Sequence, residues 1–169
     1  LSWNPSSGAT GYEIWRSSLN APYAALPAVI GTSAIDSSLS ANTTYLYKVR
    51  ATGPAGTSAF TAIDPATTIT FTDPAPSGLR VKALHITELR TAVNAMRAAA
   101  GMTAAVLTDP GLTPGIVVRR AHLAELRTAL DAARAAIGLP AIVYTDPTLT
   151  AQTTIVKATH VTQLRDGTQ

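Results

Sequence analysis

The sequence predicts a multidomain β + α chain, with a β-sandwich over residues 1–66 and a small α-helical domain over residues 67–169. Three observations carry this. "GYEIWRS" and "TYLYKVRAT" alternate with a period of two, the pattern of half-buried strands. Turn-forming clusters, "NPSSG", "LNAP" and "GPAGTS", punctuate the same region. Beyond residue 70 a unit of about 37 residues recurs, each time with apolar residues at helical spacing.

In the first strand Tyr12 and Ile14 share one face, and Glu13 and Trp15 the other. In the second, Tyr45, Tyr47, Val49 and Ala51 oppose Leu46, Lys48 and Arg50. "YAALPAVIG" and "SAID" are also extended in character. Short strands at turn-separated intervals read as an antiparallel sandwich.

The recurring units are 72–107, 108–144 and 145–169. Each begins Thr-Asp-Pro, and each carries His-x-x-(Glu/Gln)-Leu-Arg. Asp73, Asp109 and Asp146 precede a proline, so each is expected to cap a short helical turn with proline at its first position. An extended apolar piece follows in each unit: "LRVKA", "GIVVRRA" and "TTIVKA". Ile86, Leu89, Val93 and Met96 then form one helical stripe, and Leu123, Leu126, Leu130, Ala133 and Ile137 a second. Gly101 and Gly138 are placed to end those helices. A third, shorter helix carries Val161 and Leu164. One amphipathic helix cannot bury its stripe alone, but three can close a small domain.

Composition narrows the function. Net charge is +3, and only 14% of the residues are charged. Residues 1–66 hold three basic and three acidic groups, and the remainder ten and seven. The arginines are spread along the helices without interleaved aromatics, which argues against nucleic-acid binding. The absence of cysteine excludes disulfides and thiolate zinc sites. No apolar run is long enough for membrane insertion. A start at Leu1 reads as a processed chain, an excerpt, or the ordered part of something longer.

Candidate chemistry is sparse. His85/Glu88 and His122/Glu125 share a helix face at i, i+3, a spacing that can ligate metal. The third unit has His160 but Gln163, and no further ligands follow, so a structural role is preferred and no metal or cofactor is expected. Arg90, Arg127 and Arg165 are expected to bridge to the Thr-Asp-Pro turn of an adjacent unit, with the aspartate as both cap and ion-pair partner. No Asp-x-Asp-x-Asp loop suits calcium. No Ser-His-Asp motif or phosphate loop appears. Trp15 should face outward, either as a stacking surface for a sugar or protein contact or packed on the stems of Arg16 or Lys48. Asn42-Thr43-Thr44 fits the N-glycosylation acceptor pattern.

"LSWNPSSGATGYEIWRS" and "LSANTTYLYKVRATGPAGTSAFT" resemble a fibronectin type III domain over roughly residues 1–66. The resemblance places Trp3 at the strand-B core tryptophan and Tyr45 at the tyrosine corner, whose hydroxyl satisfies a nearby backbone group. That family has a strand A before "LSW". Its absence here leaves strand B with an open edge at Leu1, Ser2 and Trp3. Three explanations stand: upstream chain, a strand added from a neighbouring subunit, or a sandwich of six strands. The Thr-Asp-Pro and His-x-x-Glu-Leu-Arg units resemble a module near the C-terminal ends of long secreted bacterial proteins. The second resemblance implies location more than function. With no catalytic constellation in the chain, the expected role is that of a non-enzymatic, secreted or cell-surface structural or adhesive module, with self-association or a neighbouring protein segment as partner. One version is an extracellular filament built through the open edge. The alternative is a carbohydrate- or cell-wall-binding accessory region of a larger secreted enzyme.

Overall fold

The computed structural model describes residues 1–73, 78, 80–150 and 153–169. The proline after Asp73, and Leu79 in the first extended piece, lie outside the described residues. A curled antiparallel sheet is followed by three helices, so the chain is mixed β and α.

The sheet contains β1 (Gly11–Ser18), β2 (Ala24–Ala25), β3 (Thr44–Gly53), β4 (Gly56–Thr57) and β5 (Asp64–Thr67). Its order is β2-β1-β3-β4, with β5 also paired to β3. β1 lies against β3 with Ile14 opposite Val49 and Trp15 opposite Lys48. This register places Ile14, Tyr45 and Tyr47 on one buried face, against Trp3, Leu26, Val29, Ala34 and Leu39. The chain leaves β1 through Leu19 and Asn20, both with positive φ (49° and 58°), which is the twist a tight antiparallel turn needs. Asp64–Thr67 form β5, which pairs with the start of β3.

Gly53 shows how closely the backbone packs at the end of β3. A Cβ there would lie 2.5 Å from the Gly8 carbonyl oxygen. Gly53→Ala is therefore expected to cost about 1–3 kcal/mol through forced backbone displacement. The readout is a lowered urea midpoint at unchanged slope; an unchanged midpoint would contradict the close approach.

The helices are α1 (Ala83–Ala99), α2 (Arg120–Ala136) and α3 (Ala158–Asp166). Their apolar stripes meet in one core built from Ile86, Leu89, Val93 and Met96, then Leu123, Leu126 and Leu130, with Val161 and Leu164. Gly101 and Gly138 follow α1 and α2 with φ of 71° and 78°. Behind α1 the Gly101 and Met102 amides donate to the Ala98 and Arg97 carbonyls; behind α2 Gly138 and Leu139 donate to Ala135 and Arg134. This double bond is the left-handed helix stop that glycine favours.

Sheet and helices dock through α1, which packs on β1, β3 and β5. Ala95 and Ala99 of α1 are buried, while their α2 counterparts Ala132 and Ala136 are half-buried and exposed. Small side chains let the helix approach the sheet closely. Leu46 and Thr44, on the sheet face away from Ile14, are correspondingly buried. The C-terminal residues complete the contact. Thr67 Oγ1 donates to the Thr168 carbonyl at 2.7 Å, and Thr168 is fully buried.

Candidate functional site

Asp109 and Asp146 do not cap helices, contrary to the expectation from sequence. Among the described residues no helix begins at Asp109 or Asp146, the residues after Asp73 lie outside the described ones, and the N-cap positions are Lys82, Arg119 and Lys157. Asp109 has a φ of 51°, whereas an N-cap needs an extended backbone. The carboxylate of each Thr-Asp-Pro turn holds the histidine at the third position of the helix in its own unit. Asp73 Oδ2 lies 2.8 Å from His85 Nε2, Asp109 Oδ2 3.0 Å from His122 Nε2, and Asp146 Oδ2 2.8 Å from His160 Nε2.

The other ring nitrogen is also engaged. The backbone N–H groups of Lys82, Arg119 and Lys157 donate to Nδ1 of His85, His122 and His160 at 3.2, 3.2 and 3.3 Å. Nδ1 therefore accepts and Nε2 carries the proton given to the aspartate, which fixes the neutral tautomer. Histidine thus performs the backward reach that Glu or Gln performs in a capping box. All three imidazoles are essentially fully buried, and with both nitrogens bonded they offer no lone pair to a metal. Among the described residues no group of three or more His, Asp or Glu side chains is placed to hold one.

Glu88 and Glu125 bond their own turns, accepting from the Thr72 and Thr108 amides at 2.9 Å; Gln163 does the same for Thr145 at 3.2 Å. The arginines then link each helix to the next turn. Arg90 donates to the Asp109 and Thr108 carbonyls, Arg127 to the Asp146 carbonyl, and Arg165 to the Asp73 carbonyl. Bridging to an adjacent unit is as the sequence suggests, but through backbone carbonyls and not through the aspartate carboxylate. The last unit returns to the first, so the links form a closed ring. Arg127 and Arg165 also lie over the rings of Tyr144 and Phe71, each 4.2 Å from the centroid. Burial lowers the pKa of both guanidinium groups, yet arginine stays charged at neutral pH. Hydrogen bonds from His85, and then from Lys82, hold Asp73 below its ordinary value; those from Lys157, and then from His160, do the same for Asp146.

In the sheet module Tyr45 Oη accepts from the Ser40 amide at 2.9 Å. Trp3 is half-buried, with its ring 5.5 Å from that of Tyr12. Ser2 pairs with Ser33, flanked by hydrogen bonds from the Trp3 amide to Thr32 and from the Ala34 amide to Leu1. This is the wide-spaced register of an antiparallel pair, so the N–H and C=O of Ser2 point away from Ser33. No hydrogen bond among the described residues uses either group.

Trp15 is half-buried on the outward face. Its N–H donates to Glu13 at 3.2 Å, Phe60 meets it edge-on at 5.7 Å, and Lys48 lies 5.8 Å from its ring. Arg16 is on the opposite face and grips Asp36, which also accepts from the Tyr47 hydroxyl at 2.8 Å. Asp36 carried no sequence signal beyond being acidic. Asn42 is exposed in a turn with a φ of 53°, while Thr44, two residues on, is fully buried.

Comparison with family models, characterised proteins and solved structures finds no match to this chain. No helix among the described residues is long and apolar enough to cross a membrane.

Proposed function

We propose that the chain is a non-enzymatic structural or adhesive module of secreted or cell-surface proteins. In this reading a β-sandwich of fibronectin type III character carries a closed helical repeat unit. Neighbouring molecules join by adding a strand beside residues 1–3. The observation that carries the reading is the outward N–H and C=O of Ser2, a backbone donor and acceptor poised for strand addition. The ring supports it in a second way. Its histidines, aspartates and arginines are engaged in holding the helices together, which suits a rigid spacer better than a reaction site.

Ser2→Pro removes the N–H on that edge and alters no core side chain. Size-exclusion chromatography with light scattering is expected to show concentration-dependent assembly of the parent chain and monomer for Ser2→Pro, with matching circular dichroism. A parent chain that stays monomeric at every concentration overturns the assembly reading.

A further inference from the structure

The extended pieces before the three helices converge on one open groove of about 1080 Å³. Its wall is apolar, and it gathers much of the exposed aliphatic surface of the helical half. Leu84, Ile116, Val117 and Ile155 are 43, 38, 75 and 75% exposed there. Four cations line the same groove: Arg80, Lys82, Arg120 and Lys157. No carboxylate among the described residues lines it; Asp73 and Asp146 are turned to the histidines and pair with the Lys82 and Lys157 ammonium groups. Arg80 is exposed and has no acidic partner among the described residues.

We propose that this groove binds an acidic, aliphatic-rich peptide segment of a partner protein. The apolar wall takes Leu, Ile or Val side chains, and Arg80 and Arg120, which pair with no carboxylate among the described residues, take Asp or Glu. Charge selects against a second copy of this basic chain. Concavity selects against a bilayer, which would meet Val117 and Ile155 at the rim and leave the floor empty. The proposal is independent of strand addition at Ser2, since it uses the opposite module.

The probe is a fluorescent synthetic peptide of Leu, Ile, Asp and Glu, with a counterpart in which Lys replaces every acid, titrated against the full chain by fluorescence polarisation. The acidic peptide is expected to bind saturably and more weakly as salt rises, and the Lys peptide not at all. Val117→Asp, Ile155→Asp and Arg80→Glu each change an exposed side chain, and each is expected to weaken binding at least about tenfold. Equal binding of the two peptides, or unchanged affinity in all three variants, overturns the proposal. So does co-sedimentation with phosphatidylserine vesicles in the absence of peptide binding.

Discussion

Arg165→Ala is expected to lower the unfolding free energy by about 3–5 kcal/mol, the range for removing one partner of a buried charge pair. Its guanidinium holds the Asp73 carbonyl, lies 3.4 Å from Glu88 Oε2 and covers the Phe71 ring. Truncation leaves the Glu88 carboxylate, whose side chain is only 11% exposed, without its cation. It also frees α3 from the first turn, across 92 residues of chain. Thr168, just beyond α3, carries the bond to Thr67 in the sheet, so both halves are affected. Arg165→Lys recovers little, because an ammonium group cannot serve carbonyl, carboxylate and ring at once. Arg119→Ala is the control: that side chain is 65% exposed and 3.5 Å from Asp109, and its loss is expected to cost under about 1 kcal/mol. Urea unfolding reads all three. An Arg165→Ala chain as stable as the control would mean that the ring is not closed in solution.

His85→Ala is expected to cost about 2–4 kcal/mol, from a buried cavity and an N-cap amide left without an acceptor. His85→Gln restores an acceptor for the Lys82 amide and should recover part of the loss. The same substitution alters the acid limb of the stability curve. Asp73 and Asp146 have folded-state pKa values below the ordinary carboxylate value of about 4. Their contribution is complete above that ordinary value and is lost as pH falls through the lowered folded values. His85→Ala removes the largest cause of the Asp73 depression, so its stability should fall less steeply with acid than that of the parent. An acid limb of unchanged steepness would show that Asp73 is not held by His85.

The residues of this ring were legible in the sequence because their spacing repeats; their pairing was not. Asp followed by Pro is a good start to a helix, and propensity alone assigns Asp73, Asp109 and Asp146 to caps. At Asp109 and Asp146 what decides otherwise is tertiary: a buried imidazole needs an acceptor for Nε2–H, and the aspartate of its own unit supplies it. The stripes Ile86–Met96 and Leu123–Ala133 were legible from periodicity alone. The docking face of α1 was not, since Ala95 and Ala99 have alanine counterparts in α2, and only the sheet tells them apart. Alternation along β1 and β3 placed Trp15 and Lys48 together on the outward face. It also hid the burial of Leu46, which depends on a helix nearly fifty residues away.

Closure of the ring is tested most directly by amide hydrogen exchange at Thr72, Thr108 and Thr145, followed by NMR in the parent and in Arg165→Ala. These amides donate to Glu88, Glu125 and Gln163 in turn. The predicted result is comparable protection at all three in the parent and a joint loss when Arg165 is removed. Thr72 exchanging freely while Thr108 and Thr145 remain protected, or a loss confined to Thr72 in the variant, would contradict it.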